Sequence, residues 1–195
     1  MEGSQLGEDV KRLREALGKL PDPVVRPSLV MVSGLPGTGK SYFCLRLAER
    51  VPLVILESDN LRKLLFPCPE YTWQEHHRLF RACHRLVEEL LKSGTTIAFD
   101  ATNLEEHHRE PLYHIASQAG AKLILVQVDA PPEVVYQRLR ERGMGLNPED
   151  KSDADWTVYN AMQSRVERIG RNYLLVDTSR DISAALDKVV RRMNQ

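Results

Sequence analysis

Eight consecutive residues, Gly34-Leu35-Pro36-Gly37-Thr38-Gly39-Lys40-Ser41, fit the pattern G-x-x-x-x-G-K-[ST] without a mismatch. Gly34, Gly37 and Gly39 let the backbone turn where a β carbon would clash, so successive N–H groups can face one concavity. An apolar, β-branched run (Leu29-Val30-Met31-Val32) precedes the loop, and a helical pattern (Phe43, Leu47, Ala48) follows it. The concavity therefore sits on a helix N-terminus, where free N–H groups and the helix dipole favour an anion. Lys40 adds a point charge for β- and γ-phosphates, and the Ser41 hydroxyl is placed to ligate Mg²⁺. Strand, glycine loop and helix together specify a nucleoside triphosphate site built on Gly34, Pro36, Gly37, Thr38, Gly39, Lys40 and Ser41.

Three further sets of residues have the chemistry to act on a bound phosphate. Asp59 follows a second apolar run, with Arg62 three residues on, and Asp100 follows a third. A carboxylate beside the phosphates can accept a proton from a hydroxyl nucleophile or hold Mg²⁺, the second role falling to Asp100. The structural alternative is helix capping, since Ser58, Asp59, Thr102 and Asn103 all precede helical patterns. Arg138 and Arg142 have i, i+4 spacing, which puts both on one helical face, either as a solvated charged face with Glu133 and Glu141 or as a lid that neutralises a transferring phosphoryl group. His76-His77 and His107-His108 look like ligand pairs, but they lie among charged residues and read as surface histidines. Trp73 and Trp156 read as core or lid packing.

The elements that must position these groups follow from periodicity. Residues 4–20 carry Leu6, Val10, Leu13, Leu17 and Leu20 at steps of four and three, an amphipathic helix that packs on its own domain or forms a short coiled-coil dimer. Residues 21–28 form a proline-rich connector, and the core domain spans 29–195. Strands are expected at Leu29–Val32, Leu53–Leu56, Thr95–Phe99, Leu123–Val128 and Tyr173–Val176, each followed by a helical pattern. The sixth of the seven helical patterns runs from Trp156 to Ile169, behind a polar, mobile loop at 143–155. Alternation of this kind implies a parallel sheet covered on both faces, with ligands at the carboxyl ends of its strands.

Composition bounds the rest. The 195 residues are 42% hydrophobic and 28% charged, with Lys+Arg and Asp+Glu both 27, so a large non-specific nucleic-acid surface is disfavoured while a local basic groove is not. Cys44, Cys68 and Cys83 lack C-x-x-C spacing and read as reduced thiols. No apolar run approaches the roughly 18 residues that span a bilayer. The acidic N-terminus does not look like a signal peptide, so the expectation is a cytoplasmic protein.

The set Gly34–Ser41, Ser58-Asp59-x-x-Arg62, Asp100-Ala101-Thr102-Asn103 and Arg138-x-x-x-Arg142 resembles the P-loop kinases related to 5′-hydroxyl polynucleotide kinase, a group of AAA-type ATPases that shares motifs with zeta-toxin-like nucleotide-sugar kinases. The resemblance runs from about Leu29 to Ser179 and omits the N-terminal helix. It implies an α/β P-loop fold with a five-stranded parallel sheet in order 2-3-1-4-5, flanked by helices, with a lid at about 138–157. It implies ATP and Mg²⁺ as cofactors, Asp59 as general base, Arg62 on the acceptor's phosphate, and Lys40, Arg138 and Arg142 on ATP phosphates. It places adenine near Asp177-Thr178-Ser179, with Thr178 at the nucleotide. The expected activity is phosphate transfer from ATP to a hydroxyl acceptor, with a single-stranded 5′-OH polynucleotide end as its best example. A sugar, antibiotic or nucleotide-sugar acceptor is the alternative within the same fold. Outside it stands a regulatory ATP switch, with the N-terminal helix recruiting a partner. The acidic lid residues Asp150, Asp153 and Asp155 fit a nucleic-acid strand poorly.

Overall fold

The computed structural model describes residues 2–144 and 154–195. The expected mobile loop and the acidic lid residues Asp150 and Asp153 lie largely or wholly outside the described residues. In chain order the elements are α1 (Glu2–Ala16), β1 (Ser28–Ser33), α2 (Lys40–Ala48), β2 (Val54–Glu57), α3 (Ser58–Leu65), α4 (Trp73–Lys92), β3 (Ile97–Asp100), α5 (Glu106–Gln118), β4 (Lys122–Asp129), α6 (Pro132–Gly143), α7 (Trp156–Gln163), β5 (Tyr173–Asp177) and α8 (Ser183–Asn194). The strands form one sheet in the order β2-β3-β1-β4-β5, every pairing parallel, as the resemblance implies.

Strand β1 is buried along its whole length, which is why it reads as a continuous apolar run. Its alternate side chains serve two cores. Leu29 and Met31 join Leu61 of α3, Leu79 and Leu86 of α4, and Leu112 of α5. Val30 and Val32 join Phe43 and Leu47 of α2 with Leu186 and Val189 of α8. A third, smaller cluster sits above the sheet's carboxyl edge, where Val135 and Leu139 of α6 and Tyr159 of α7 pack with Leu35. No helix among the described residues is long and apolar enough to cross a membrane.

Helix α1 lays Val10 and Leu13 into the first core. Its polar anchor is Asp9, 3% exposed, which accepts from Arg78 Nε and Nη2 of α4 at 2.7 Å each and from Gln5 Nε2 at 3.1 Å. Beyond α1 the connector crosses the end of α4, where the Val24 N–H donates to the Gly94 carbonyl at 2.8 Å.

Three local expectations change. Helix α3 begins at Ser58, so Asp59 lies inside its first turn rather than ahead of it. Helix α7 stops at Gln163; Ile169 is buried without being helical, and Val166 is exposed. Apolar spacing past a helix end had mimicked helical period. Trp73 is 73% exposed, stacked on His77 instead of packed in a core.

Burial would raise the Asp9 carboxyl, but the hydrogen bonds from Arg78 and Gln5 outweigh it and hold the group below its ordinary 3.8. Asp9→Ala is expected to cost about 1–3 kcal/mol in urea unfolding at neutral pH, the scale of a hydrogen bond to a charged group. A depressed carboxylate stabilises fully above its unfolded value, so the difference from wild type should hold above pH 3.8 and vanish as pH falls through the lower folded value. A difference that persists unchanged in acid would assign the loss to packing alone.

Candidate active site

Strand β1 feeds the phosphate loop and α2 receives it. Gly37 and Gly39 take φ of 77° and 92°, the left-handed region where side chains are strained. A β carbon on Gly39 would lie 2.8 Å from Thr178 Oγ1, and one on Gly37 2.9 Å from Val135. Gly39 occupies the N-cap position and brings no side chain to it, so the first N–H groups of α2 face the loop's concavity. Lys40 lies across that concavity, its Nζ donating to the Leu35 carbonyl at 3.1 Å. The buried Thr38 hydroxyl donates to the same carbonyl at 2.7 Å, while Ser41 is exposed in the first turn.

The strand ends bring carboxylates to this loop. Asp100, 3% exposed, is the last residue of β3, in register with Val32 of β1 and with Glu57 of β2. Burial first, and then the Asp100 and Glu57 charges, push the buried Cys44 thiol well up, while Lys40 pulls it down. Lys40, Asp100 and Glu57 thus all act electrostatically on the first turns of α2, where Cys44 is buried. Glu57 was not among the residues expected here; only the sheet order, which makes β2 the neighbour of β3, brings it beside Asp100.

Capping does not account for the conspicuous polar residues. The N-cap of α3 is Glu57 and that of α5 is Glu105, neither with a side-chain cap bond. Asn103 adopts φ 45° and donates from Nδ2 to the Val32 carbonyl at 2.8 Å. Ser33 Oγ lies within hydrogen-bond distance of the carbonyls of Thr102 and Asn103, and the Gly34 N–H donates to Thr102 O at 3.1 Å. The loop after β3 is stitched to the end of β1.

Arg62 is on the buried side of α3 and is 6% exposed. Its guanidinium lies 5.0 Å under the Tyr71 ring and 3.9 Å from Glu75 Oε2. Among the described residues, its Nε and Nη1 find no hydrogen-bond acceptor. Tyr71 takes φ 55°, and its N–H donates to Glu75 Oε2 at 2.8 Å, fixing the ring over the arginine.

The other wall is made by α6 and the turn after β5. Arg138 Nη1 donates to Thr178 Oγ1 at 2.9 Å and to the Gly37 carbonyl at 3.3 Å; Nη2 donates to Thr178 O at 2.9 Å. Thr178 Oγ1 in turn donates to the Thr38 carbonyl at 2.6 Å. Arg138 and Thr178 therefore join the phosphate loop directly. Arg142 reaches away from it, donating to Ala154 O at 3.1 Å.

Sequence reasoning passed over Arg109, a wholly buried arginine of α5. It pairs with Glu106 at 2.8 Å, donates to the carbonyls of Asn103 and Leu104 at 2.9 and 2.6 Å, and reaches those of Glu167 and Arg168. Its only signal in the sequence is its i, i+3 spacing from Glu106.

A curated relative, L-seryl-tRNA(Sec) kinase of Methanococcus maripaludis, is 28% identical over 144 residues, covering 67% of this chain and 54% of that protein. The first curated relatives it matches are spanned over only 54–66% of their length. Among solved structures, Chaetomium thermophilum Kti12 in complex with ADP-AlF3 superposes with TM-score 0.68 at 18% identity, covering 85% of this chain and 98% of that one. Mycobacterium tuberculosis APS kinase CysC in complex with AMPPNP and APS gives 0.64 at 18% identity, covering 87% and 99%. These likenesses establish a P-loop kinase fold. Residues 29–169, from β1 past the end of α7, match the AAA domain family, and this chain belongs to it.

Proposed function

We propose that this chain is an ATP- and Mg²⁺-dependent phosphotransferase that moves the γ-phosphate to a hydroxyl group. The observation that carries the reading is the pairing of two anion-binding features across one cleft. On one side is the glycine loop with Lys40; on the other is the buried guanidinium of Arg62, with N–H groups to spare. A hydrolytic switch has no use for the second; a kinase whose acceptor carries its own anion does.

The roles follow from placement. The loop N–H groups and Lys40 hold the triphosphate, and Arg138 closes the wall from the Thr178 side. Asp59, in the first turn of α3, takes the proton from the acceptor hydroxyl as its oxygen attacks the γ-phosphorus and the bond to ADP breaks. Ser41 and Asp100 supply hard oxygen donors that suit Mg²⁺, with Glu57 alongside. When bound there, the ion would neutralise charge on the β- and γ-oxygens. Arg142, one turn on from Arg138 and bonded through Nη1 to Ala154 O, would join Arg138 in neutralising the ATP phosphates.

For the acceptor, a 5′-OH polynucleotide end remains the leading choice, and the tRNA-linked name of the curated relative supports an RNA-borne hydroxyl. A small anionic acceptor is the second reading. It is favoured by the depth of Arg62, which suits one phosphate or sulfate in a recess better than a strand along an open groove.

Transfer from γ-labelled ATP to 5′-OH RNA and DNA oligonucleotides, run beside a panel of hydroxylated metabolites, tests both. Lys40→Ala should abolish labelling of any acceptor. Asp59→Asn should lower kcat by about 10²–10⁴-fold, the usual worth of a general base, with ATP binding intact; near-normal turnover would remove the base assignment. Arg62→Ala should raise KM for the acceptor at least tenfold while leaving KM for ATP within twofold, because the guanidinium is seated against Tyr71 and Glu75 and not hydrogen-bonded to the glycine loop; equal effects on both would place it on the nucleotide instead.

A further inference from the structure

The histidines that read as surface residues meet one another. His76 comes from the second turn of α4, and His107 and His108 from the first turn of α5, with Glu105 at its N-cap. The ligand atoms of Glu105, His107 and His108 all lie within 4.8 Å of one another. The His107 and His108 rings are 3.9 Å apart between centroids, and His76 approaches His108 at 5.3 Å from the other helix. We propose that Glu105, His107, His108 and His76 form a second metal site, for Zn²⁺ or a similar late first-row divalent cation, that ties α4 to α5 on the acceptor side of the cleft.

The donor set selects the metal. Three imidazoles and one carboxylate match zinc, which takes four ligands in a tetrahedron, and disfavour Mg²⁺ or Ca²⁺, which want oxygen. Donors around tetrahedral zinc are about 3.4 Å apart, given metal–nitrogen bonds of about 2.0–2.1 Å. Glu105, His107 and His108 stand within 4.8 Å of one another and His76 lies just outside that group, so binding would draw all four side chains inward, His107 from its exposed position. His107 Nδ1 already stands 3.5 Å from Glu105 Oε2.

Two surroundings fit a ligating role. Glu105 offers Oε2 to the cluster while Oε1 is held by Arg165 Nη2 and Nε at 2.5 and 2.6 Å, the kind of outer hydrogen bond that orients a ligating carboxylate. His76 and His108 are half-buried between the two helices, which limits the water that would compete for an ion held there. Arg62, Arg109 and Arg165 also bring positive charge near the cluster, against Glu105. That balance penalises a cation held only by charge and leaves one held by imidazole bonding. Phe80 walls one side, its ring 4.4 Å from His76 and stacked toward His108.

Titration of the full chain with Zn²⁺ in excess Mg²⁺ by calorimetry, and with Co²⁺ by visible absorption, tests this. Wild type should bind one Zn²⁺, give a tetrahedral Co²⁺ spectrum without a thiolate band, and unfold at a higher temperature with metal. The double variant His107→Ala/His108→Ala should lose more than tenfold in affinity, since losing an outer partner alone costs about 10–100-fold. It should also lose the thermal shift, and its metal-free unfolding curve reports whether it folds. His76→Asn should weaken binding and change the Co²⁺ spectrum. Cys68→Ser, removing the exposed thiol, should change nothing. The proposal is overturned by no saturable equivalent of Zn²⁺ in wild type, by undiminished affinity in a folded double variant, or by loss of the site in Cys68→Ser.

Discussion

The phosphate loop keeps its shape because Thr178 holds it. A single hydroxyl donates to the Thr38 carbonyl at 2.6 Å and accepts from Arg138, so three distant pieces of chain share one oxygen. A loop rich in glycine loses more conformational freedom on ordering than any other, and such a tether offsets part of that loss. It also fixes what Gly39 must be: the space its β carbon would need is where the threonine stands. The turn after β5, helix α6 and the loop are therefore one hydrogen-bonded unit, and displacement of any one is felt by the loop at the start of α2.

The carboxyl edge of the sheet supplies the rest of the chemistry by register. Asp100 and Glu57 are neighbours because β2 and β3 are, and both reach the loop because β1 lies next to β3. Burying Asp100 beside a second carboxylate is costly unless positive charge is near. Lys40 acts on the same buried Cys44 thiol as both carboxylates and with the opposite sign, so charges of both signs are gathered at this edge of the sheet.

Much of this was legible in the residues. The glycine loop announces itself by pattern and flanks, and runs of four to six mostly apolar residues mark every strand. Asp100 stands out because it follows its run immediately, and Asp59 and Arg62 because they lie in the first residues after theirs. Glu57 was not, because its importance depends on strand order and not on spacing. Arg109 was hidden for a different reason: an arginine whose partners are mostly backbone carbonyls leaves almost no sequence signal. The histidines read as surface residues, and His77 and His107 are exposed; what spacing alone did not show is that His76 of α4 and His108 of α5 approach one another across the two helices. Helix α7 was drawn too long because Val166 and Ile169 continue the apolar spacing after the backbone has left the helix.

Arg109 has a mechanical consequence. The Glu167 N–H donates to Leu104 O, Glu167 Oε2 accepts from the Glu106 N–H, and Arg165 grips Glu105, so the segment that leaves α7 is riveted to the connection between β3 and α5. Arg109 is the buried bolt through that joint, bonded to carbonyls on both sides of it. Helix α7 is thus tied, through the segment that follows it, to the residues just beyond β3, so the carboxyl edge of the sheet and the helix that begins at Trp156 share one anchor.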